Sequence, residues 1–188
     1  MHIHKTLMQK TDECINLLRS TKRDGVEDLI RHITRMGYFE APGSLRHHRF
    51  VGGLVSHSLE TYHKAMELRE EKISKGFPPE QIPVDSVIIA ALMHDLCKAD
   101  VLRYNSEQHR VYECKGHRGH GTRSVRQVGY SGFRLTPMEE DAILWHMGGR
   151  RICQDYKKRQ LFFKSHPLSD IIHKADRKSI AESQRRHA

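Results

Sequence analysis

The ten residues ALMHDLCKAD (91–100) carry His94 and Asp95 at the end of an apolar run that begins in the preceding VDSVIIA (84–90). Pro83 suits the opening of a helix here, since its missing N–H is one that a first turn leaves unpaired anyway, and Asp85 sits near the positive end of the helix dipole. The run predicts a helix from about Pro83 to Lys98. It is too apolar all round to lie on a surface, so it reads as the central helix of a helical domain. A buried imidazole and a buried carboxylate are costly unless they have partners. His94 and Asp95 therefore demand some.

Outward from this helix, most of the chain has helical period. Leu7, Cys14, Leu17 and Leu18 share one face, and Val26, Leu29, Ile30, Ile33 and Met36 share another, with Asp24 as N-cap. APGSLRHHRFVGG (41–53) is a loop. A long helix is predicted from Gly53 to Lys75, and VLRYNSEQHRVYE (101–113) reads as a small hairpin around a polar turn. GHRGHGTRSVRQVGY (116–130) is a glycine-broken entry into a helix. Thr136, Pro137 and Glu139 form a capping-box start, GGRR (148–151) a stop, and a last helix begins near Pro167 or Ser169. The expected architecture is all-α, about six or seven helices with one β-hairpin. An alternating βαβ pattern is absent, as are GxGxxG and GxxxxGK[ST], which argues against a nucleotide-binding parallel sheet.

The formal charge of +9 favours anionic partners, while an aromatic fraction of 7% offers few stacking platforms for single strands. Four scattered cysteines with no CxxC read as reduced thiols. With no apolar h-region in MHIHKTLMQK and no apolar run of about 18 residues, a cytoplasmic protein without membrane contact is expected.

Fifteen histidines are the sharper anomaly, because histidine is the commonest metal ligand. His57 lies beside Leu54 and Val55 in projection, whereas His63, about 240° further round, faces solvent. His146 follows Ile143, Leu144 and Trp145, and Asp176 lies near Ile172 in projection. A lone inward histidine is ordinarily a hydrogen-bonded core residue. Four helices that each turn an imidazole or carboxylate inward fit a shared cation better, because one ion satisfies them together. Asp95, with two oxygens, has the capacity to bridge two cations.

The ordered set His57, His94–Asp95 and Asp176, with Lys98 after the doublet, resembles the HD-domain metal-dependent phosphohydrolases. LRHHRFVGGLVSHSLE (45–60) looks like the HD domain attached to some bacterial 3′→5′ exoribonucleases and like small stand-alone HD hydrolases. The resemblance implies an HD helical bundle. It would be one domain over 1–188, with a helical lead-in (1–45), a metal-binding core (46–180) and a polar tail (181–188). It also implies one metal on His57, His94, Asp95 and Asp176, and a second on Asp95, His120 and His146. His117 is the rival of His120, and His173 is a neighbour of Asp176 outside the ligand set. Fe, Mn, Ni or Zn suits this mixed set, with Mg as a further option.

The activity that the resemblance implies is that of a phosphomonoesterase or phosphodiesterase, hydrolysing a nucleotide or other small phosphoester with a metal-activated water. Asp95 and Lys98 are expected at the chemistry, and Arg46, His47, His48, Lys98 and Arg123 at the substrate. Arg126, Arg150 and Arg151 are further basic neighbours. The alternative reading of Lys98 is a helix C-terminal lysine favoured by the dipole. The competing classes are a nuclease acting on RNA or single-stranded DNA, a non-catalytic metal-binding regulatory module, and a di-iron oxygenase. No oligomeric state is legible.

Overall fold

The computed structural model of the chain describes residues 5–114, 119–149 and 152–186. His117, Arg150 and Arg151 lie outside the described residues. The architecture is mostly helical, with one two-stranded antiparallel sheet. Helix α1 (Leu7–Ser20) opens on a capping box: Gln9 N donates to Thr6 Oγ1 at 3.2 Å, and Thr6 N donates to Gln9 Oε1 at 2.8 Å. Helix α2 (Val26–Arg35) starts differently from the expectation. Gly25, not Asp24, is its cap, because the chain enters with φ at 80°, a left-handed conformation that glycine adopts without steric cost.

Helix α3 (Gly53–Ser74) follows the loop, and a 3-10 turn at Pro79–Gln81 leads to α4 (Val84–Met93). A single turn, α5 (Lys98–Val101), then leads into β1 (Leu102–Asn105) and β2 (Arg110–Glu113). The strands pair with Leu102 opposite Glu113 and Asn105 opposite Arg110. After them come α6 (His120–Tyr130), α7 (Pro137–Trp145), α8 (Tyr156–Ser165) and α9 (Pro167–Arg186). The sequence pattern does not predict α8. Asp155, which accepts from Lys158 N at 3.2 Å, was its start signal.

Helix α4 is the centre, packed against α1, α3, α6, α7 and α9, with every residue from Ser86 to Met93 buried. Each fully buried Ile or Leu there contributes roughly 1.5–3 kcal/mol. Glu139 locks α7 onto this core. Fully buried, it accepts from Arg23 Nη1 and Ser86 Oγ, each at 2.8 Å, and from Thr136 N at 2.9 Å in the expected capping box.

Helix α4 also ends earlier than predicted, at Met93 rather than near Lys98. The carbonyls that would continue it are taken by side chains. Tyr38 Oη donates to Leu92 O, and His94 Nδ1 to Ala91 O, both at 2.8 Å. From Leu96 to Asp100 each backbone N–H then bonds three residues back, except at Cys97, whose N–H donates to Ser124 Oγ. No helix among the described residues is long and apolar enough to cross a membrane.

Candidate metal centre

Four helical segments bring their inward groups to one point. His57 comes from the first turns of α3, His94 and Asp95 from the break after α4, His146 from the end of α7, and Asp176 from the middle of α9. All five are at most 4% exposed. The three rings are held alike. His57 Nδ1 lies 3.0 Å from Ser179 Oγ, His94 Nδ1 2.8 Å from Ala91 O, and His146 Nδ1 2.7 Å from Ile143 O. A carbonyl oxygen only accepts, so His94 and His146 carry a proton on Nδ1, and in their neutral form keep a lone pair on Nε2.

The Nε2 atoms and the carboxylates meet at ligand spacing. His57 Nε2 is 3.3 Å from His94 Nε2, 3.1 Å from Asp176 Oδ1 and 3.5 Å from Asp95 Oδ2. His94 Nε2 is 3.3 Å from Asp95 Oδ2 and 3.8 Å from Asp176 Oδ1. Metal–ligand bonds of about 2.0–2.1 Å put neighbouring donor atoms about 2.9 Å apart at 90° and about 3.4 Å apart at tetrahedral angles. Most of these separations match the edges of one coordination polyhedron. On the other side of Asp95, its Oδ1 lies 3.6 Å from His146 Nε2.

Three of these atoms, Asp95 Oδ1, His146 Nε2 and Asp176 Oδ1, are buried with no hydrogen-bond partner. The 3.1 Å approach of Asp176 to His57 is thus close without hydrogen-bond alignment. Orphaned buried acceptors are expensive, and they fit a cation at their meeting point. The donor set of imidazole nitrogens and carboxylate oxygens suits a divalent transition metal.

The charges are mutually dependent. Burial raises the Asp95 carboxyl, but Lys98 and His94 outweigh it and hold the group well below the carboxylate range. Burial likewise raises Asp176, and His57 reverses this and brings it down. His57 and His146 are lowered by burial yet end up raised, through Asp176 and Asp95 for the first and Asp95 for the second. In His94 burial prevails and the ring is lowered.

A cleft of about 370 Å³ adjoins the centre, lined by Arg46, His47, Lys98, His120 and Met147 among others. Lys98 Nζ stands 2.5 Å from Asp95 Oδ2 and so joins the cleft to the buried carboxylate. The residues expected at the substrate divide. Arg46, His47 and Lys98 line the cleft. His48, in contrast, is buried at 3% exposure. Its φ is 50°, and a Cβ at Gly43 or Gly53 would overlap it, so two glycines admit the loop that packs it beside His57. The rings of His47 and His48 each lie 5.2 Å from that of His57, making a second cluster of three potential ligands.

Arg123 is absent from the cleft lining, with Nη2 3.3 Å from Asp100 Oδ2, and Arg126 turns to Tyr130 Oη at 2.9 Å. His120 lies on the cleft wall at the start of α6, with Nδ1 3.5 Å from Cys97 Sγ, and belongs to neither three-ligand cluster among the described residues. His173 supports the site from outside, its Nδ1 donating to His146 O at 2.6 Å. His63 faces solvent, as its helical position implied. Sequence reasoning missed Ser179 and Glu60. Each lies three residues along a helix from a candidate ligand, Asp176 and His57 respectively, and that spacing was the available signal.

No curated protein and no solved structure matches the chain. A family model described as HD domain matches residues 54–180, a span that takes in all five buried groups from His57 to Asp176. HD domains are generally hydrolytic and bind divalent metals. With more than half its length matched, the chain belongs to the HD-domain family.

Proposed function

We propose that this protein is a metal-dependent phosphohydrolase acting on a nucleotide or other small phosphoester. The observation that carries the reading is the convergence of His57, His94 and His146 Nε2 with the Asp95 and Asp176 carboxylates, three of whose atoms are buried without partners. His57, His94, Asp95 and Asp176 would hold one divalent cation. Asp95 Oδ1 and His146 would hold a second, with His120 reaching in from the cleft wall. When bound, such cations supply an acidified water as nucleophile and offset charge on the phosphate.

The protein's own groups do the rest. Lys98, between Asp95 and the cleft, offers an ammonium to a phosphate oxygen, and Arg46 offers a guanidinium at the rim. The size of the cleft suits a small ligand, since pockets for such molecules run from about 300 to 1,000 Å³. Both carboxylates are nearly shut off from bulk solvent, Asp95 at 3% and Asp176 at 4% exposure.

The test pairs elemental analysis of purified protein with hydrolysis of nucleoside monophosphates, cyclic nucleotides, sugar phosphates and an oligoribonucleotide. One or two transition-metal ions per chain and release of phosphate or opening of a phosphodiester are expected, with both metal and activity lost in Asp95→Ala. Full metal content in Asp95→Ala overturns the ligand role of that carboxylate. Retained metal with no turnover on the whole panel overturns the enzymatic reading.

A further inference from the structure

Glu60, on α3 one turn beyond His57, is neither a candidate ligand nor a cleft residue, yet one of its oxygens connects to both sides of the site. On one side, Ser179 Oγ donates to Glu60 Oε2 at 3.4 Å and lies 3.0 Å from His57 Nδ1. On the other, His48 Nε2 stands 3.2 Å from the same Oε2, and His48 Nδ1 is 3.0 Å from His47 Nδ1.

For neutral rings, these contacts fit the following placement of protons. A carboxylate only accepts, so the Ser179 hydroxyl and His48 Nε2 both donate to it. Ser179, having spent its proton, accepts from His57 Nδ1–H, which leaves His57 Nε2 as a lone pair among the candidate ligands. His48, protonated on Nε2, has a lone pair on Nδ1 and accepts from His47 Nδ1–H. The remaining nitrogen of His47, Nε2, is then a lone pair on a residue that lines the cleft.

We propose that Glu60 is a positioning residue that sets, through Oε2, which nitrogen carries the proton on His57, His48 and His47. It thereby presents one lone pair to the metal centre and another to the substrate cleft. The metal part rests on the proposed function, in which His57 is a ligand. The tautomers themselves rest only on the hydrogen-bond geometry. The fold invests in this arrangement: His48 keeps a left-handed backbone and needs glycine at 43 and 53 to reach Glu60. Partners of this kind fix ring orientation and raise ligand basicity, and their loss costs roughly 10–100-fold in metal affinity.

The tautomers can be read in the full-length, metal-free protein by two-bond ¹H–¹⁵N spectra of ¹⁵N-histidine-labelled samples, at a pH where the rings are neutral. His57 and His47 are expected to carry the proton on Nδ1 and His48 on Nε2. Glu60→Ala should shift His48 and His57 towards the other or mixed tautomers and weaken Mn²⁺ or Zn²⁺ binding roughly 10–100-fold. Ser179→Ala should disturb His57 alone, and Glu60→Gln, which keeps an accepting oxygen, should restore the pattern. Opposite tautomers in the wild type, or an unchanged spectrum in folded Glu60→Ala, overturn the proposal. Should the protein prove to hydrolyse no phosphoester, the expected tautomers would still support this inference while the functional reading fell.

Discussion

Lys98 Nζ meets Asp95 Oδ2 at 2.5 Å because the backbone between them has left the α-helical repeat. Lys98 N bonds to Asp95 O, three residues back, and in a three-residue repeat side chains at i and i+3 eclipse one another. The early end of α4 is therefore what stacks an ammonium over the carboxylate. Adjacent in sequence, His94 and Asp95 nonetheless face one centre, with His94 Nε2 3.3 Å from Asp95 Oδ2.

Lys98→Met removes the cation nearest to a buried carboxylate. Breaking one partner of a buried pair costs about 3–5 kcal/mol, because the other charge stays behind uncompensated. Added Mn²⁺ or Zn²⁺ should restore much of that loss, since the metal and Lys98 answer the same charge. Denaturant melts of both proteins, with and without metal, check this. Equal destabilisation in both conditions would separate Lys98 from the metal centre.

Metal addition should stabilise the wild type, by about 2.7 kcal/mol at a hundredfold excess over Kd if only the folded state binds. The effect should weaken as pH falls, because imidazoles and carboxylates bind metal deprotonated and protons compete. Competition should set in above the ordinary histidine range, given that His57 and His146 hold their protons more tightly than usual. Thermal melts across pH, with a chelator control, provide the measurement. Stabilisation that persists unchanged into acid would contradict ligation by these rings.

The helix-borne part of this site was legible in the sequence. Inward histidines on apolar helices are conspicuous, so His57, His94 and His146 stood out together with Asp95 and Asp176, and the structure brings all five together. What escaped depends on distant partners. The end of α4 is set by Tyr38, more than fifty residues upstream, whose hydroxyl takes the Leu92 carbonyl. Helix α8 escaped because Leu161, Phe162 and Phe163 are contiguous rather than spaced as a stripe. His48 looked like a rim residue beside His47, and only the packing of Gly43 and Gly53 against it shows that it is buried.

Gly53→Ala should test that packing. The added Cβ would run into the carbonyl of His48 and the backbone of Gly43. Overpacking of this kind costs typically about 1–3 kcal/mol. Because Gly53 begins the helix that carries His57, metal affinity should fall along with stability. Denaturant melts and metal titration read the two effects. Wild-type stability in this variant would mean the loop packs less tightly than the structure shows.

Glu139→Ala separates the fold from the chemistry. It deletes a buried carboxylate that accepts from Arg23, Ser86 and the Thr136 backbone, leaving the helix start without its acceptor and Arg23, which also donates to Arg134 O, with one acceptor fewer. A loss of about 1–3 kcal/mol is expected from the buried donors left unpaired and the lost cap. Glu139→Gln keeps an accepting oxygen for the cap and should lose less. Neither residue change touches a candidate ligand, so the fraction that remains folded at low temperature should bind metal with wild-type stoichiometry. Elemental analysis of that folded fraction decides the matter: a deficit of metal there would mean that the docking of α7, which carries His146, depends on Glu139 even short of unfolding.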